Sequence, residues 1–239
     1  MSRESLHNGA TTGNTYTDLG ATTEEALEIS AKSRRLAREA IGNSGYEDRI
    51  RQRCAIAVGD FAMADLIRFR EEPVLSGLRA LASGALVITD IRMVQVGILK
   101  KGHRSDIICA LDFDEGAGEH GITRTSQGFI NLGERISGAI VVIGNAPSSL
   151  ITVCRGVHKG YRPALVIGTP VGFVNAKESK EQLRETGVPS ISTEGTRGGT
   201  PVAVAAMNEI ITIHAELQDN RQYPQGVRPL EQTAVSHEE

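Results

Sequence analysis

The sequence predicts an α/β fold: a largely parallel sheet covered by helices on both faces. From Leu86 onward, short β-branched runs alternate with helix-length segments. Such alternation builds βαβ units, whose crossovers lay helices on both faces of a sheet. Each run closes on Gly, Pro, Asn or Asp, residues that end regular structure. The 239 residues, 40% hydrophobic and 23% charged, can build a sizeable core, which excludes a disordered polyelectrolyte and a fibrous repeat.

Residues 1–20 are polar and read as a flexible end, 21–217 as a single α/β domain, and 218–239 as a flexible tail. Thr22 or Thr23 caps a first helix, with Glu24 and Glu25 in its first turn and a loose stripe of Leu27, Ile29, Leu36, Ala40 and Ile41. Gly42 and Gly45 stop it. A second helix is predicted over Tyr46–Val58, a third around Ala62–Arg70 closed near Pro73, and a fourth over Val74–Ala82. Leu86–Thr89, Asp106–Ala110, Ala139–Ile143, Ala164–Ile167 and Pro189–Ser192 read as strands, giving a five-stranded sheet. The last helix, Thr200–Glu216, is apolar nearly all round at its start (Val202, Val204, Ala205, Ala206, Met207), which predicts burial.

Composition removes several function classes. Lys and Arg total 26 against 29 Asp and Glu, a net charge of −3, so the basic excess of a nucleic-acid binder is missing. No apolar run approaches the ~20 residues of a spanning helix, and the polar N-terminus has no secretion signal, so a cytoplasmic protein without a membrane partner is expected. Cys54, Cys109 and Cys154 are odd in number and widely spaced, which suits buried reduced thiols. His103, His158 and His214 show no metal-ligand spacing, so no metal site is expected.

Three strand-to-helix junctions carry the candidate chemistry. Gly144-Asn145-Ala146-Pro147-Ser148 offers two polar side chains and a proline suited to a first helical turn, where exposed amides can hold a carboxylate or phosphate. The stretch from Gly168-Thr169-Pro170 to Lys177 and Lys180 brings cations to a helix start, against the macrodipole, which fits an anionic partner; a solvated Lys–Glu face is the alternative. Thr193-Glu194-Gly195-Thr196-Arg197-Gly198-Gly199 sets one arginine among glycines, able to fork onto a carboxylate. Thr89-Asp90 at the first strand's end and Thr123-Arg124, after a glycine-rich stretch holding His120, are further candidates, or else a helix cap and a surface ion pair. In open parallel sheets ligands bind beyond the carboxyl ends of the strands, so these junctions are predicted to converge. Neither nucleotide-binding glycine pattern occurs, which favours a carboxylate-rich metabolite.

Gly144-Asn145-Ala146-Pro147, Pro170-Val171-Gly172-Phe173-Val174 with Glu178-Ser179-Lys180, Arg197-Gly198-Gly199, Asp90 with Met93-Val94 and Gly97, and Thr123-Arg124 together resemble the precorrin-8X methylmutase family of cobalamin biosynthesis. The likeness spans roughly Glu24 to His214. It implies a three-layer, flavodoxin-like α/β/α fold, a homodimer, and a corrinoid substrate with several carboxylates. It also implies a methyl shift between adjacent ring carbons to give hydrogenobyrinate or its cobalt counterpart, with no separate organic cofactor. The resemblance places Ser33 and Arg53 among the substrate contacts, beside Thr89, Asp90, Thr123, Arg124, Asn145, Ser148, Lys177, Arg197 and Gly198. It also places Ile56 where the family's catalytic histidine stands. Isoleucine has no titratable group, and His120 is the candidate substitute. Three readings stay open at this point: a methylmutase driven by binding and distortion, a non-catalytic or diverged corrinoid binder, and an α/β enzyme of another polyanionic substrate.

Overall fold

In the computed structural model, residues 23–114 and 121–219 are described. The predicted flexible segments 1–20 and 218–239 fall almost wholly outside them, except that the last helix continues through Asp219.

Helix α1 covers Glu24–Ile41, and Thr23 caps it by accepting the Ala26 amide at 3.2 Å. Helix α2, Tyr46–Val58, ends on Gly59 in the left-handed region, φ 66°, where glycine carries no Cβ penalty. The expected third helix is replaced by two shorter pieces, a 3-10 turn over Phe61–Leu66 and strand β1, Ile67–Arg70. Asp60 starts the turn by accepting the Ala62 amide. β1 then pairs antiparallel with the last strand, Ile67 opposite Thr193 and Phe69 opposite Ile191. This pairing is a long-range contact that local periodicity cannot report.

The remaining elements follow the expected order: α3 (Pro73–Ala82), β2 (Val87–Thr89), α4 (Arg92–Gly97), β3 (Ile107–Cys109), α5 (Arg124–Leu132), β4 (Ile140–Ile143), α6 (Pro147–His158), β5 (Leu165–Gly168), α7 (Ala176–Glu185), β6 (Ser190–Thr193) and α8 (Thr200–Asp219). The sheet therefore has six strands, in the order β1-β6-β5-β4-β2-β3, and not the predicted five. The five predicted strands are all present and mutually parallel, with β1 added antiparallel at one edge. Their order, β3-β2-β4-β5-β6, is the flavodoxin-like 2-1-3-4-5 arrangement.

Two apolar clusters sandwich the sheet. On one face Ile50, Leu78, Val94, Val202, Ala206 and Ile210 bring α2, α3, α4 and α8 together, with α1 packed outside α2. On the other, Phe129, Leu150, Val153, Val157 and Leu183 hold α5, α6 and α7. β4, β5 and β6 are buried along their whole length, as strands covered on both faces must be. α4 after β2 goes to one face and α6 after β4 to the other, which makes the ends of β2 and β4 the topological switch point, the place where sheets of this kind form their ligand crevice.

Candidate functional site

Asp90 follows β2 at this switch point and is fully buried. Its Oδ1 accepts the Ile91 amide at 3.0 Å and the Gly144 amide at 3.3 Å, while Oδ2 accepts those of Asn145 at 2.8 Å and Ala146 at 2.9 Å. The amides that the Gly144–Ala146 loop offers an anion are thus taken by a carboxylate of the protein itself. Burial lifts the Asp90 carboxyl above its ordinary range, with the four amides pulling the other way. Thr89 is equally buried and donates its hydroxyl to the Ile108 carbonyl at 3.1 Å. Asp90 and Thr89 therefore shape the floor of the crevice.

Around that floor the junctions lock onto one another. The Gly199 amide donates to the Thr169 carbonyl at 2.6 Å, and that of Gly172 to the Thr196 carbonyl at 3.1 Å, joining the loops after β5 and β6. A Cβ at Gly198 would lie 2.3 Å from the Thr169 carbonyl oxygen, so only glycine permits this approach. Gly144 likewise admits the start of α8, since a Cβ there would meet the Thr200 Cα at 2.9 Å. Ser148 at the head of α6 and Thr123, the cap of α5, share a hydroxyl contact of 2.9 Å. Arg197 forms an ion pair with Asp60, tying the loop after β6 to the end of α2.

Lys180, one of the two lysines that the sequence places at this helix start, organises the last loop. Its fully buried Nζ donates to Thr193 Oγ1 at 3.0 Å and to the Arg197 carbonyl at 2.8 Å, and Thr193 Oγ1 donates to the same carbonyl at 2.6 Å. Burial, reinforced by the Arg184 charge, pushes the Lys180 amine down to about 8. Its signal in the sequence is the very feature that suggested an anion site, a lysine near a helix start.

The other sequence-named residues fall into distinct settings. Asn145 is exposed at the crevice mouth and Ser148 half-buried beside it. Arg124 is largely exposed and pairs through Nε with Asp114 at 2.6 Å. Lys177 is solvated, 3.8 Å from Glu181 one helical turn on, which is the Lys–Glu face of the alternative reading. Arg53 is buried inside the fold, its Nη1 2.9 Å from Glu209 and 3.0 Å from the Thr212 hydroxyl. Ser33 is half-buried on α1, and Ile56 is half-buried one turn beyond Arg53 on α2. His120 lies outside the described residues. His103 and His158 bond backbone carbonyls, while His214 is fully buried and held near 4 by burial and by His103.

Apolar side chains stand on the elements that frame the crevice: Met93 and Val96 on α4, and Val171, Phe173 and Val174 in the loop after β5, with Phe173 96% exposed. A hollow of about 570 Å³ elsewhere, between α1, α2 and β1, holds Asp48, Arg51, Phe61, Asp65 and Arg68. Its arginines pair with acidic neighbours, Arg51 with Asp48 and Glu47 and Arg68 with Glu194.

Comparison with known proteins places this architecture. The family model described as precorrin-8X methylmutase matches residues 28–213. A cobalt-precorrin-8 methylmutase of Methanocaldococcus jannaschii is 39% identical over 206 residues, covering 81% of this chain and 96% of that protein. The cobalamin biosynthesis protein CbiHC of Archaeoglobus fulgidus is 39% identical over 201 residues, 84% of this chain but 42% of that longer protein. A solved precorrin-8X methyl mutase from Thermus thermophilus superposes with a TM-score of 0.72 at 34% identity, covering 79% of this chain and 98% of that one. With the family model across most of its length and relatives named as methylmutases, the chain belongs to the precorrin-8X methylmutase family.

Proposed function

We propose that the chain is an isomerase that moves a methyl group between adjacent ring carbons of a carboxylate-rich corrinoid precursor, precorrin-8X or its cobalt counterpart, in cobalamin biosynthesis. The observation that carries this reading is the convergence, at one carboxyl edge of the parallel sheet, of the loops after β2, β4, β5 and β6. A corrin is broad and apolar across its plane and acidic at its periphery. The frame matches that division: Phe173, Val174, Met93 and Val96 offer apolar surface, and Arg197, Arg124 and Lys177 offer cations at the margins.

The reaction balances within one molecule. The bond from the methyl carbon to one ring carbon breaks as the bond to its neighbour forms, and nothing enters or leaves. With Ile56 at the position assigned to the proton-transfer histidine, the residues of this chain contribute by binding and by holding the macrocycle in a distorted, reactive shape. The exposed apolar surface of Phe173, Val174, Met93 and Val96 favours a homodimer, and three free buried cysteines favour a reducing cytoplasm. The test is to mix purified protein with the precorrin substrate and follow its visible spectrum: conversion to the product chromophore supports the reading, and an unchanged substrate spectrum refutes it.

A further inference from the structure

The side chain of Arg197 leaves the loop after β6 from a fixed root. The Arg197 carbonyl accepts Lys180 Nζ at 2.8 Å and Thr193 Oγ1 at 2.6 Å, and two residues on, the Gly199 amide donates to the Thr169 carbonyl at 2.6 Å. The side chain itself is 48% exposed, and its Nη2 pairs with Asp60 Oδ2. Asp60 is fixed as well. It follows Gly59, the left-handed end of α2, and its Oδ1 accepts the Ala62 amide at 2.9 Å at the start of the 3-10 turn. That amide, and then Arg197, hold the Asp60 carboxyl below its ordinary range, so it is ionised at neutral pH.

The atom that Asp60 holds matters. A guanidinium forks onto a carboxylate along one of two edges, Nε with Nη2 or Nη1 with Nη2, and Nη2 belongs to both. While Asp60 keeps Nη2, Arg197 cannot grip a second carboxylate through two parallel bonds. An arriving acidic arm that is to be forked must therefore take the place of Asp60. The exchange costs little, because an ion pair at the surface contributes little and Asp60, 39% exposed, is hydrated once released. Arg124 differs in this respect: the side chain of its partner Asp114 is only 4% exposed, so displacing it would strand a buried charge. Asp60 is the aspartate built to let go.

We propose that Asp60 is an internal counter-carboxylate that an acidic arm of the ligand displaces from Arg197 on binding. This rests on the corrinoid reading above, in which Arg197 meets such an arm. Without ligand, Asp60 neutralises the guanidinium and holds it at the end of α2. With ligand bound, the arm takes Nη2, and the tie opens between the loop after β6 and α2, the helix that carries Ile56. Asp60 therefore sets how tightly a free acid is held, by competing with it for one arginine. An amidated arm brings a single neutral acceptor, which cannot replace a carboxylate, so it leaves the pair in place.

The experiment measures binding of two corrinoids by absorbance, hydrogenobyrinate with free carboxylates and the same macrocycle with its arms amidated. Proteins compared are the unaltered chain, Asp60→Asn, Arg197→Ala, the two changes combined and, as a control for simple charge loss, Asp65→Asn at an exposed site on the same 3-10 turn. Asn keeps an acceptor for the Ala62 amide and gives up only the charge. Asp60→Asn is expected to bind the acid about two- to fivefold more tightly, the gain that removing one exposed competing pair supports. Affinity for the amidated form changes less than twofold, and Asp65→Asn leaves both affinities alone. In the Arg197→Ala background the Asp60→Asn gain disappears, which a purely structural role of Asp60 would not produce. A folded Asp60→Asn that binds the acid no better than the unaltered chain overturns the exchange while leaving the corrinoid reading intact. Equal tightening by Asp65→Asn, or a gain that persists without Arg197, also overturns it, because net charge alone would then be responsible. If the unaltered chain binds neither corrinoid, both readings fall. Should Asp60→Asn fail to fold, Asp60→Ser, which also caps the Ala62 amide, decides by the same criteria.

Discussion

Lys180 Nζ lies 2.8 Å from the carbonyl oxygen of Arg197, so a fully buried amine fastens the loop that carries the exposed arginine of the crevice. Because a neutral amine still carries two N–H donors, both Lys180 bonds survive deprotonation. That explains how burial can hold the group near 8 without opening the loop.

The consequence is a pH-dependent stability with a fixed sign. The folded value, about 8, lies below the ordinary 10.5. The stability linked to this group is therefore complete above 10.5 and is lost as pH falls through about 8. Relative to Lys180→Met, the unaltered protein should gain roughly 3 kcal/mol between those limits, at about 1.4 kcal/mol per unit. Urea unfolding of both proteins at pH 7.5 and pH 10 checks this; a pH-independent difference contradicts it.

Asp90→Asn tests the crevice floor. An amide can present an acceptor to one pair of the four donors, which leaves an N–H₂ facing the other pair. Each donor left unsatisfied costs ~1–3 kcal/mol, so the variant should lose ~2–5 kcal/mol in denaturant unfolding with an unchanged slope. A loss below 1 kcal/mol would show that the Gly144–Ala146 loop keeps its shape unaided.

Arg197→Ala and Arg124→Ala should each weaken hydrogenobyrinate binding by ~1.5–3 kcal/mol, the range for charge-assisted hydrogen bonds. Titration by absorbance measures it, and unaltered affinity in both variants removes them from the site. Asp60 is exposed, so Arg197→Ala strands no buried carboxylate, whereas the Asp114 side chain is only 4% exposed, so thermal unfolding of Arg124→Ala is measured beside its binding.

Much of this arrangement was legible in the chain. The five parallel strands and the helix Tyr46–Val58 stand where short β-branched runs and apolar periodicity place them, because those signals are local. β1 was not legible, since Ile67–Arg70 becomes a strand only through pairing with β6 more than a hundred residues later. The glycine-rich junctions marked the candidate site, but nothing local marked the occupant of the Gly144–Ala146 amides. Asp90 is 54 to 56 residues from them, and a strand-end aspartate looks alike whether it holds a ligand or a loop. Arg53 and Glu209, 156 residues apart, were beyond reach for the same reason.

Ile56→His restores an imidazole at a half-buried position on α2. Positioned proton transfer contributes ~100- to 10,000-fold, so the variant should turn over at least ~100-fold faster than the unaltered chain. Single-turnover absorbance traces give both rates. An equal rate would mean that proton transfer at this position does not limit the reaction.

The most direct measurement is of the unaltered protein itself: anaerobic mixing with precorrin-8X, visible spectra over time, and mass analysis of the product. A new chromophore of unchanged mass is expected, formed slowly and abolished when Arg197 and Arg124 are replaced together. A substrate spectrum that never changes, in protein shown to be folded, would contradict it.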